Sequence, residues 1–86
     1  MSAFVSIEPD ALVTVGAMIS REWGSHGYQV TGVESAGSGS VLAEVTASDG
    51  ARFHVWSTRY GNRGHATDRG AALEDLRRKI REERTP

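Results

Sequence analysis

Ser48-Asp49-Gly50 lies between two runs of alternating side chains, VLAEVTA and ARFHVWSTRY, and this hairpin constrains the fold more than any other stretch. Asp-Gly is a favoured turn pair because glycine takes a positive φ at no steric cost. Two registers compete. A two-residue turn at Asp49-Gly50 pairs Val45 with His54. A three-residue loop, with Gly50 in a bulge, pairs Val45 with Phe53 and Ala43 with Val55. Side chains alternate between the faces of a strand, so a slip of one residue moves every side chain to the other face. The three-residue loop collects Val41, Ala43, Val45, Phe53 and Val55 on one side and is the register the sequence predicts. The other side then carries Leu42, Glu44, Thr46, Arg52, His54, Trp56, Thr58 and Tyr60.

Helices flank this hairpin. In EPDALVTVGAMISREWG, Pro9 suits the first helical position and Asp10 the first turn. Leu12, Val15, Ile19 and Trp23 recur at helical spacing, and Gly24 can end the helix in the left-handed conformation. Residues 1–7 read as a short apolar lead-in that is expected to be extended. GYQVTGVES reads as a further strand and AGSGS as a flexible loop. After the GNRG turn, HAT can add a brief fourth strand. Thr67 or Asp68 can cap a last helix, DRGAALEDLRRKIREER, whose buried stripe is Leu73, Leu76 and Ile80. The expectation is one α+β domain over residues 1–86. It is an α-β-β-β-α two-layer sandwich, with two helices on one face of an antiparallel sheet of three strands, or four with HAT.

The 86 residues contain no Cys, so neither a disulfide nor a Cys-ligated metal is expected. His26, His54 and His65 are far apart and form no His-x-x-x-His pair. The glycines at 37 and 39 lack the Lys-Ser/Thr of a phosphate-binding loop. No nucleophile elbow or paired carboxylate motif is present. The sequence therefore predicts no enzyme, cofactor or metal site. It shows no basic leader followed by an apolar run and no stretch near the ~20 apolar residues that span a bilayer, so a cytoplasmic, membrane-free protein is expected.

Charge is divided unevenly. Residues 1–50 carry one basic and six acidic side chains, and residues 51–86 carry nine basic and five acidic. Such asymmetry can mark a nucleic-acid surface. The residues that would supply one are Arg59, Arg63, Arg69, Arg77 and Arg81. The leading expectation lies elsewhere. With both helices on the Val45 side, Leu42, His54, Trp56 and Tyr60 form an exposed patch, with Arg63 at its rim. Trp and Tyr suit protein interfaces because they join large apolar area to a polar tip. The expected partner is another protein chain, a host or regulatory protein or a second copy in a homodimer. Nucleic-acid binding is the alternative.

Nine of the ten basic residues are Arg, and with the Ala and Gly content this resembles small accessory proteins of actinobacteria and their phages. The element order over residues 9–84 resembles the double-stranded-RNA-binding domain. That family's Lys-rich run at the start of its second helix has no counterpart in TDRGAALED, where Asp68 offsets Arg69.

Overall fold

The computed structural model describes residues 9–85, with side chains from residue 15 onward. The expectations for the lead-in and for the side chains of Pro9, Asp10 and Leu12 lie outside the described residues. The order is α1 Pro9–Gly24, β1 Tyr28–Gly37, β2 Ser40–Ala47, β3 Arg52–Ser57, β4 Arg63–Ala66 and α2 Arg69–Arg84. The strands form one open antiparallel sheet in the order β1-β2-β3-β4. This is the α+β arrangement expected, with HAT contributing to the fourth strand.

The central hairpin has the three-residue register. Val45 pairs with Phe53 and Ala43 with Val55. Gly50 has φ of 91°, and the loop is closed by Ala47 N–H donating to the Ala51 carbonyl at 2.8 Å. The β3–β4 connection repeats the device. Thr58 N–H donates to the Asn62 carbonyl at 2.8 Å around Arg59-Tyr60-Gly61, and Gly61 has φ of 88°. The AGSGS loop is shorter than the sequence suggested. β1 continues to Gly37, and the turn is only Ser38-Gly39, with φ of 55° and 74°. Positive φ at both central positions gives the turn whose twist matches the flanking strands. At the end of α1 the left-handed residue is Gly27, with φ of 85°, rather than Gly24. His26 and Gly27 extend the helix by one turn, donating to the carbonyls of Trp23 and Gly24, each at 3.0 Å. Asp68 is the cap of α2, accepting from Gly70 N–H at 3.3 Å and Ala71 N–H at 3.0 Å. Such a cap satisfies donors that no helical carbonyl reaches and is worth about 0.5–2 kcal/mol.

The helices lie on opposite faces, which corrects the expected two-layer arrangement with both on one face. Val15, Ile19 and Trp23 of α1 pack on Ala43, Val45, Val55 and Phe53. Ala72, Leu73, Leu76 and Ile80 of α2 pack on Leu42, Trp56 and Ala66. Leu42 and Ala43 are consecutive in one strand, so the two clusters occupy its two sides. The cause is plain in β2, where Ser40, Val41, Leu42 and Ala43 are all buried. A strand apolar on both sides needs cover on both. Each helix covers only half of its face: α1 lies over β1 and β2, α2 over β3 and β4.

Candidate functional site

The expected patch does not form as one surface. Leu42 and Trp56 are 2% and 6% exposed, beneath α2. Their cover is a helix of the same chain, not a second protein. The indole also lies against Gly64, its cross-strand partner. A β-carbon on Gly64 would lie 3.0 Å from Trp56 Nε1 and closer still to the six-membered ring. His54 is half-buried in a groove on the part of this face that α2 leaves open. Tyr60 is 69% exposed but sits beyond β3, in the loop, so it does not continue the alternation with Trp56. Arg63 belongs to the other face, where it pairs with Glu22 at 2.9 Å. The alternative set also divides. Arg69 pairs with Glu34 at 3.0 Å, whereas Arg59, Arg77 and Arg81 form no ion pair among the described residues.

Among the described residues, two half-faces of the sheet remain open. On the α2 side, Gly32, Glu34, Leu42, Glu44, His54 and Arg69 line a groove of about 360 Å³. Its charges are matched internally: Arg69 holds Glu34, and Arg52 lies 3.6 Å from Glu44. Thr31 Oγ1 donates to Glu44 Oε1 at 2.8 Å. A groove whose charges already have partners offers little to a charged ligand.

On the α1 side, the open half carries aromatic rings. Trp23 at the end of α1 meets Tyr28 at 5.2 Å, Phe53 at 5.5 Å and His65 at 5.1 Å between centroids. Phe53 meets Tyr28 at 5.5 Å and His65 at 5.7 Å. Most contacts are edge-to-face, the geometry in which a ring's positive edge meets another's negative face. Trp23, Tyr28 and Phe53 are half-buried and His65 is exposed. Beside them opens a groove of about 560 Å³, lined by Glu22, Trp23, Ser25, His26 and His65. The sequence did not reveal this site. Its rings come from α1, β1, β3 and β4, and Phe53 reads from its strand phase as core. The signal present was the shared phase of Phe53 and the Val45 side together with Trp23 at the end of the helical stripe.

A third cluster ties α2 to the β3–β4 loop. Glu83 Oε2 accepts from Thr58 Oγ1 at 2.6 Å and from Asn62 Nδ2 at 2.6 Å. The Thr58 hydroxyl holds the Glu83 carboxyl below its ordinary range. Burial works against this, and Asn62 and the charges of Lys79 and Arg59 assist it. A carboxyl whose pKa is depressed by folding adds stability above its unfolded pKa, and that stability is lost as pH falls through the folded value. Thr58→Val should therefore raise the Glu83 pKa and flatten the acid side of the stability curve. Carboxyl chemical-shift titration and urea melts across pH check this; an unchanged Glu83 titration would refute it.

Among the described residues no group of three or more His, Asp or Glu is placed to hold a metal ion. No described helix is long and apolar enough to cross a membrane. Comparison of the chain with protein-family models, curated proteins and solved structures finds no match. Fold and surface together define a small α+β protein with an open aromatic groove.

Proposed function

We propose that this is a non-enzymatic interaction protein of the cytoplasm, docking on a regulatory or other protein chain through the open half-face beside α1. The observation that carries the reading is the ring cluster of Trp23, Phe53 and His65, left uncovered by the described residues on the side of the sheet that α1 only half spans. Aromatic side chains at a concave surface provide large apolar area at low entropic cost, and such residues dominate interface energetics. The Arg63–Glu22 pair lies beside the cluster and supplies a polar rim. The mode of action is that expected from the sequence, an exposed sheet face, moved to the opposite face of the sheet.

The test is affinity capture from nuclease-treated native lysate with three baits: the natural chain, His65→Glu and Arg77→Glu. His65→Glu places a charge among the rings, whereas Arg77 is on α2, across the sheet. One protein should be retained by the natural chain and by Arg77→Glu and lost with His65→Glu. Retention by all three, or loss with both variants, would overturn the assignment of the surface.

A further inference from the structure

The chain has ten basic side chains, and among the described residues five of them form ion pairs: Arg52, Arg63, Arg69, Arg78 and Lys79. Of the other five, four lie together. Arg77, Arg81 and Arg84 follow one another at i, i+4 and i+7 along α2, a spacing that puts them on one stripe of a helix. The stripe spans about 10 Å at 1.5 Å per residue. It leads to the β3–β4 loop, where Arg59 and Tyr60 share a cavity of about 210 Å³ with Arg84, Glu83, Ile80 and Ser38. Arg84 Nη2 donates to Ser38 Oγ at 3.4 Å, which holds the guanidinium at this end. The Arg59 guanidinium lies 5.3 Å from the centre of the Tyr60 ring, which is 69% exposed.

The nearby acids offset this track only in part. Glu83 accepts from the neutral donors Thr58 and Asn62 and keeps its charge at the Arg59 end, whereas Glu82 is paired with Lys79 at 3.1 Å. Glu74 is the one carboxylate that joins Arg77, Arg78 and Arg81 around their surface hollow. A line of guanidiniums that outnumbers the carboxylates beside it is complementary to a line of phosphates, which each guanidinium can meet with two parallel hydrogen bonds. An open ring at the end of that line adds a stacking platform for a base whose face is exposed. Bases in a duplex are already stacked, so the ring selects for single strands.

We infer that the Arg77–Arg81–Arg84 stripe, with Arg59 and Tyr60 at its end, is a binding track for single-stranded nucleic acid. This surface is on the opposite face of the sheet from the aromatic groove and does not depend on it. Binding is electrostatic in the main, strong at low salt and weak at physiological salt, because it draws on released counterions.

The test is fluorescence anisotropy with a labelled oligothymidylate of about 16 nucleotides, the upper range of a small single-strand site, titrated from low to physiological salt. The natural chain should bind at low salt, with a log–log salt slope of about −3 for four phosphate contacts on a single strand. Arg77→Glu/Arg81→Glu should weaken binding at least tenfold and flatten the slope. Arg21→Glu/Arg52→Glu, which changes net charge equally off the track, should have a much smaller effect. Tyr60→Ala should weaken binding about tenfold with the slope unchanged, since a ring releases no counterion. No binding at low salt overturns the inference, as does an equal loss in both double variants, which would mean that net charge alone acts. Tighter binding of a duplex, or binding indifferent to Tyr60→Ala, overturns the single-strand assignment. His65→Glu should bind the oligonucleotide normally, so this surface and the aromatic groove stand or fall separately.

Discussion

Trp56→Ala should remove a large part of the stability of the fold. A buried Trp cut back to Ala costs about 3–5 kcal/mol. A chain of this size has a total stability of roughly 4–13 kcal/mol. Trp56 is 6% exposed and is the largest side chain in the cluster with Leu42, Ala72 and Leu76. Its indole also occupies the space over Gly64, so the cavity left behind would border strand backbone that cannot easily move in. Urea denaturation followed by circular dichroism measures the loss, and a cost below about 1 kcal/mol, near the range of surface changes, would show that the indole is not part of the core. Trp56→Phe should be much milder. It keeps an aromatic ring and removes the buried Nε1–H, which meets no acceptor among the described residues. An unpaired buried donor costs about 1–3 kcal/mol, so its removal offsets part of the lost packing.

Leu76→Ala should cost about 2–5 kcal/mol, as for other buried leucines. Leu76 is 1% exposed and anchors α2, whereas Ile19, 0% exposed, anchors α1 across the sheet. Because the two side chains belong to different clusters, Ile19→Val and Leu76→Ala should act independently. Their combined effect should match the sum to within about 0.5 kcal/mol, the behaviour of sites with no shared partners. A coupling larger than this would place both helices over one core and contradict the opposite-face arrangement.

The sequence carried the backbone of this fold because local rules sufficed for it. Asp49-Gly50 and the alternation on either side selected one register, and Asp68 and the Leu73, Leu76, Ile80 spacing placed the last helix. The face on which that helix lands was not legible. Leu42, Glu44, His54 and Trp56 alternate apolar with polar along their shared face, a pattern that reads as half-open to water. The structure resolves it across the sheet rather than along a strand: Trp56 lies under α2, while Glu44 and His54 lie in the part left open. Two-sided burial was nonetheless signalled by Val41-Leu42-Ala43, which is apolar at three consecutive strand positions. The aromatic groove was hidden for a different reason. Trp23 and His65 are far apart in the chain, and only the sheet order brings them together. Arg84 was missed as a companion of Arg77 and Arg81, although the helical spacing of the three was readable.

Two tryptophans are present in the whole chain, and the sheet separates them. Trp56 is sealed beneath α2, and Trp23 stands at the edge of an open groove. Their surroundings answer to different events. An occupant of the groove changes the polarity and quenching around Trp23 and leaves Trp56 as it was, whereas loss of the α2 packing exposes Trp56. The molecule thus contains two tryptophan fluorophores, one a gauge of surface occupancy and the other of core integrity, and replacing either with Phe lets the remaining one be read alone under tryptophan-selective excitation.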